Sequence, residues 1–212
     1  AFATRGSAYA QLSQYDRALR DHDHSLKLRP DDPWLLISRG TTLSDAGQLD
    51  RAIADFDSAL RREPDLPEAI LGRGYAWRLK GEFPRALQDY DKAIGLGLRE
   101  PVPLARRCFA RAVLGQLEAA LEDCEESLRQ EAGNALALSA RGLVHLKAGR
   151  TEAAIADYDA SLRIAPERAG PLYCRGVARR RKGDVAGAAA DIEAAKAVRA
   201  DIVAEYAKYC ER

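Results

Sequence analysis

The 212-residue sequence contains no methionine, and it has only four cysteines, three histidines and two tryptophans. Without even an initiator methionine it reads as a processed or excised fragment from which a targeting signal can be missing; the compartment stays open, with the cytoplasm the first expectation. Cys108, Cys124, Cys174 and Cys210 show no Cys-x-x-Cys or Cys-x-x-x-Cys spacing. A zinc site needs clustered ligands, so no metal is expected. Three histidines leave little from which to build a Ser–His–Asp or Cys–His group, and no catalytic residue is assigned. There is no Gly-x-x-x-x-Gly-Lys-Ser/Thr run and no Gly-x-Gly-x-x-Gly after a strand, so no cofactor is expected either. The longest uncharged stretch, residues 6–15, falls far short of the roughly 18 apolar residues of a membrane span. Lys plus Arg number 33 against 32 for Asp plus Glu, a net charge of +1, which excludes a general nucleic-acid binder.

What is present is a soluble, core-forming composition, 47% hydrophobic and 31% charged. Arginine outnumbers lysine 26 to 7, which points to a need for guanidinium geometry and not for positive charge alone. The pair Arg-Gly recurs at Arg5, Arg39, Arg73, Arg141 and Arg175, and Arg107-Cys108 fills the remaining slot, always 34 residues apart. With this arginine placed at position 7 of a unit, position 4 is always apolar (Phe2, Leu36, Ile70, Leu104, Leu138, Leu172). Position 20 is always Ala, position 27 always small, and position 24 usually large: His22, Phe56, Tyr90, Tyr158 and Ile192, with Cys124 the exception. Positions 4, 7, 8 and 11 share one helix face, and positions 20, 24, 27 and 28 share a second. Gly at position 15 in five units stops the first helix, and Pro near position 32 stops the second. Each unit is thus a helical hairpin with more apolar surface than it can bury alone, and stacking buries the rest.

These residues resemble the tetratricopeptide repeat, whose pattern over 34 residues is W-x2-L-G-x2-Y, then A-x3-F, then P. The resemblance covers residues 1 to about 200 and implies an all-α, right-handed solenoid of antiparallel helix pairs. The six units are 1–32, 33–66, 67–100, 101–134, 135–168 and 169–200, and 201–212 is a capping helix or the start of a seventh. The departures are that position 4 is never Trp, position 7 is Arg, and position 11 varies widely. Ala1 falls at position 3, so the array reads as cut from a longer chain. Between the third and fourth units, Gly95 and Gly97 and a late Pro101 predict an early helix end with altered stacking, or a hinge between two domains.

A recurring arginine on an apolar face needs a recurring acid, because an unpaired buried guanidinium is costly. Position 23 is Asp in all six units, which predicts the pairs Arg39–Asp55, Arg73–Asp89, Arg107–Asp123, Arg141–Asp157 and Arg175–Asp191, with Arg5–Asp21 in the first unit, made within a unit or across to a neighbour. A ladder of ligand-binding arginines is the alternative. His22 and His24 point about 200° apart on a helix and cannot share an ion. His22 fills the aromatic slot at position 24, and His145 the one at position 11. The cysteines read first as reduced, buried fillers, with a Cys108–Cys124 disulfide the alternative and Cys174 exposed at position 6. The run Arg179-Arg180-Arg181-Lys182 fits a helix C-terminus, or an anionic contact site.

The resemblance further implies a concave groove lined by the first helices at positions 2, 5, 9, 12 and 13, and a scaffold that binds a partner peptide or helix there. The lining is Trp34, Ile37, Tyr75, Phe109, Leu143, Tyr173 and Val177, with Arg78, Arg106 and Arg180 steering acidic residues, so the expected partner is a protein segment with apolar anchors and acidic flanks. The Lys/Asn clamp of chaperone adaptors is absent, since Ala3 and Ser7 hold its places. The Asn ladder of the sugar-transferring repeats is absent at Thr4, Ser38, Gly72, Arg106, Ala140 and Cys174. The alternatives are a regulatory or targeting arm of a larger, possibly enzymatic protein, and self-association through solenoid ends.

Overall fold

The computed structural model describes residues 2–211; Ala1 and Arg212 lie outside the described residues. The described residues form thirteen α-helices: α1 Phe2–Gln11, α2 Tyr15–Leu28, α3 Pro33–Asp45, α4 Leu49–Arg62, α5 Pro67–Leu79, α6 Phe83–Gly95, α7 Pro101–Val113, α8 Leu117–Gln130, α9 Ala135–Lys147, α10 Thr151–Ile164, α11 Ala169–Arg181, α12 Val185–Val198 and α13 Ile202–Cys210. No strand occurs among them. The fold is all-α, a helical repeat in which a first helix (α1, α3, α5, α7, α9, α11) packs on the second helix that follows it. No helix among the described residues is long and apolar enough to cross a membrane.

Local chemistry sets these boundaries. Pro33, Pro67 and Pro101 open first helices, at a position where the missing N–H costs nothing. Asp32 and Asn134 cap α3 and α9, their side chains accepting from Trp34 N and Leu35 N, and from Leu136 N and Ala137 N. Between the helices of each pair the chain passes through a left-handed residue: Gly47, Gly81, Gly115, Gly149 and Gly183 have φ between 73° and 90°, and in the first pair Ser13 takes φ 56°.

Inside four of the six pairs a ring is laid on a bare backbone. A Cβ added to Gly40 would stand 3.0 Å from the Phe56 ring, one on Gly74 2.8 Å from Tyr90, and one on Gly142 2.9 Å from Tyr158. Gly6 faces His22 and Gly176 faces Ile192 in the same way. In the fourth pair both partners change together: Cys108 and Cys124 are joined in a disulfide with Cα atoms 5.5 Å apart. The reading of the cysteines as reduced fillers therefore does not hold. Positions 8 and 24 face each other at a separation a disulfide spans. Cys174 is also not exposed; it is buried and bonded to Cys210.

The chain divides into two compact units, one ending at Leu98 and the other beginning at Arg99. In the first, α1 to α6 stack, each second helix also packing on the next first helix, and Leu19, Leu43, Ile53, Phe56 and Ala76 form one core cluster. There α6 has 13 residues where the other second helices have 14, ending at Gly95 before Gly97 turns with φ 104°. In the second unit α7 to α12 stack likewise. α13 departs from the stacking order: it packs chiefly on α11 and only lightly on α12 and α9.

Candidate functional site

The recurring arginines form a regular polar seam inside each pair. Arg39 donates from Nε and Nη2 to the two carboxylate oxygens of Asp55 at 2.7 and 2.8 Å. The same two-point fork joins Arg5–Asp21, Arg73–Asp89, Arg107–Asp123, Arg141–Asp157 and Arg175–Asp191. Sequence reasoning missed a second acid. From the preceding second helix, Asp23 takes Arg39 Nη1, Asp57 takes Arg73 Nη1 and Asp159 takes Arg175 Nη1, each at 2.7 Å. Its signal was available, because position 25 is acidic in every unit: Asp23, Asp57, Asp91, Glu125, Asp159 and Glu193. The bonds to these acids hold the Arg39, Arg73 and Arg175 guanidiniums firmly charged, Asp55, Asp89 and Asp191 being the strongest influence in turn. These arginines are occupied within the fold, so they do not form an open ladder for a ligand.

Two of the three histidines, His22 and His145, are packed inside the fold, and His24 is exposed. His22 is buried, its Nε2 lying 3.2 Å from Thr42 Oγ1, and His145 Nε2 is 3.6 Å from Asp157. Burial holds both imidazoles below their ordinary pKa.

The expected groove residues have different surroundings in the two units. In the first, Trp34 on α3 is 52% exposed, Ile37 packs on the core clusters, and the Arg78 guanidinium lies 5.0 Å from the Tyr75 ring centre on α5. In the second, Arg106 and Phe109 on α7 are half-buried, but Leu143, Tyr173 and Val177 are only 1%, 2% and 1% exposed. An open stripe was expected there, and it is closed; over Phe109 and Tyr173 the cover comes from α13 and the residue after it. Phe109 meets Tyr206 and Tyr209 with ring centres 6.4 and 6.2 Å apart. Tyr173 donates its hydroxyl to Glu211 at 2.7 Å, and Arg180 reaches the same carboxylate at 3.0 Å. Burial, then this bond, pushes the Tyr173 hydroxyl up to about 12, and the Tyr173 bond holds the Glu211 carboxyl below its usual range. Arg181 donates to the carbonyls of Cys210, Glu211 and Leu146, while Arg179 bonds Asp191. The basic run is thus spent on an acidic helix end and on the seam.

Two family models described as tetratricopeptide repeat match residues 37–100 and 135–168. A tetratricopeptide repeat protein from Parabacteroides merdae ATCC 43184 has a similar structure, with a TM-score of 0.77 at 16% identity over 100% of this chain and 83% of that one. Those two segments are tetratricopeptide repeats, and the chain as a whole has the tetratricopeptide repeat fold. Its fold is shared with a thermophilic member from Thermus thermophilus (TM-score 0.67, 24% identity, 78% of this chain and 90% of that one). It is shared also with YrrB, described as a tetratricopeptide repeat protein with an unusual peptide-binding site (TM-score 0.58, 21% identity, 88% of this chain and 97% of that one). No curated protein matches the chain in sequence.

Proposed function

We propose that this chain is a non-catalytic scaffold that binds a segment of a protein partner on the faces of its first helices. The observation that carries the reading is the first unit's surface: an indole half in solvent at Trp34, and the Tyr75 ring under the Arg78 guanidinium. Large aromatics beside arginine are the side chains that anchor protein partners, since they offer wide apolar area with few rotamers to fix. The partner that fits is a segment with an apolar anchor flanked by acidic residues, which Arg78 attracts. The described fold of YrrB around a peptide-binding site supports the same use of the repeat.

Affinity capture from source lysate with the wild-type chain and with Trp34→Ala/Tyr75→Glu, read by mass spectrometry, tests this. Loss of about 2 kcal/mol of anchoring corresponds to roughly thirtyfold weaker binding, so a genuine partner drops out of the variant capture. Circular dichroism checks that the variant is as helical as wild type. A partner retained undiminished by the folded variant removes this surface from the binding site.

A further inference from the structure

A thirteenth helix continuing the stack would pack on α12. Instead α13 lies chiefly on α11, with only light contacts on α12 and α9, and its two tyrosines reach Phe109 of α7. It therefore covers the face that the first helices of the second unit present, and it sits there as a ligand sits in a receptor. Gly170 leaves bare backbone under the Tyr206 ring, where a Cβ would come within 2.7 Å of ring carbons. The Tyr206 and Tyr209 rings meet edge to face, 5.5 Å between centres. At the helix end, Tyr173 and Arg180 take the Glu211 carboxylate, and Arg181 takes the final carbonyls. Cys174–Cys210 ties the helix down.

We propose that the α7–α9–α11 face is a receptor for a partner's amphipathic helix bearing two aromatic residues three apart and a carboxylate at its C-terminal end, and that α13 is the resident helix such a partner displaces. The proposal rests on the reading of the chain as an interaction scaffold and adds the partner's chemistry. The chemistry comes from complementarity: an aromatic platform at Phe109, a glycine floor at Gly170, a guanidinium and a phenol converging on one acid, and a second guanidinium on the last carbonyls of the helix. The disulfide controls access. An external dithiol opens it by two exchange steps, the dithiol leaving as a disulfide and its two electrons and two protons ending on the Cys174 and Cys210 thiols. While the bond is closed, α13 competes at the high effective concentration of a tethered ligand.

The test uses the full chain with its resident helix disarmed, Tyr206→Ser/Tyr209→Ser/Cys210→Ser, and a fluorescent peptide of residues 199–211 carrying Cys210→Ser. By anisotropy the peptide is expected to bind the disarmed chain at least tenfold more tightly than the oxidised wild-type chain. Adding Arg180→Glu/Arg181→Glu to the disarmed chain, or replacing both peptide tyrosines by Ser, is expected to cost at least tenfold. No binding to a disarmed chain of wild-type helicity, or binding indifferent to the charge reversal, overturns the proposal. Should the disarmed chain fail to fold, Cys174→Ser/Cys210→Ser keeps the rest of α13: saturating peptide is expected to speed hydrogen exchange of α13 amides at least tenfold, and unchanged exchange overturns it. Trp34→Ala/Tyr75→Glu is expected to leave peptide binding unaltered, so the two surfaces fail or succeed separately. A dimer of the untethered chain that the peptide dissociates identifies a second copy as the occupant and overturns the external partner.

Discussion

At the scale of a residue, the seam arginines show why a charge can sit in an apolar hairpin. Arg73 is held by both oxygens of Asp89 and by Asp57, so desolvation is offset by three charge-assisted bonds. Asp89 is the more buried partner, 8% exposed at its side chain against 26% for Arg73. Arg73→Leu therefore strands a buried carboxylate and is expected to cost about 3 kcal/mol in chemical denaturation. Arg73→Leu/Asp89→Leu removes the stranded charge and is expected to recover more than half of that loss. A double variant no more stable than the single would mean that the arginine acts through its packing alone. A second residue carries the opposite sign. The Tyr158 hydroxyl is buried without a hydrogen-bond partner, and Phe56 fills the same slot in an earlier pair with no hydroxyl at all. Tyr158→Phe is expected to raise stability by about 1 kcal/mol, seen as a higher melting temperature.

At the scale of the element, one contact is built in two ways. Five pairs lay a large side chain over a glycine, and the fourth replaces both by cysteine. Cys108→Gly/Cys124→Phe exchanges one solution for the other. It is expected to melt within a few degrees of the oxidised parent and to be insensitive to dithiothreitol at this position, whereas Cys108→Ala/Cys124→Ala leaves a void and is expected to lose about 2–4 kcal/mol. Much of this architecture is legible in the sequence because identical neighbours impose identical spacing: the glycine stops, the apolar faces and the acid sixteen residues after each arginine all repeat. What does not repeat is harder to read. The placement of α13 depends on Gly170, Cys174 and Arg181; the first two stand where the other units carry unrelated side chains, and the third is matched only by Lys147, so no period marks them. Leu143, Tyr173 and Val177 look like open lining because their positions turn inward, but all three are interior, and the Tyr173 hydroxyl is taken by the end of the returning chain. The pairing of Cys174 with Cys210 was hidden for the same reason, since it joins two elements whose contact lies outside the repeat.

At the scale of the whole molecule, each compact unit encloses one imidazole, His22 in the first and His145 in the second. Burial lowers both pKa values, against partial compensation by Asp21 and Asp23 around His22 and by Asp157 and Glu125 around His145; Arg39 opposes protonation of the first, and Arg150 and Arg141 that of the second. An unfolded chain takes up these protons near the ordinary value of about 6.5, whereas the folded units resist them to lower pH. Below that value the unfolded state therefore binds more protons, and stability that is complete above pH 6.5 falls as the pH drops. Asp21, whose carboxyl the Arg5 bond lowers, adds a loss in a separate window below its own ordinary value. The melting temperature is expected to decline from about pH 6.5 to 5.5, before any carboxylate titrates. His22→Phe puts over Gly6 the ring that already fits over Gly40, and it removes only the first unit's titrating group. Hydrogen exchange then separates the two units. On acidification α2 amides of the variant should keep their protection while α10 amides lose it as in wild type. Equal loss in α2 of both proteins would place the acid sensitivity outside His22.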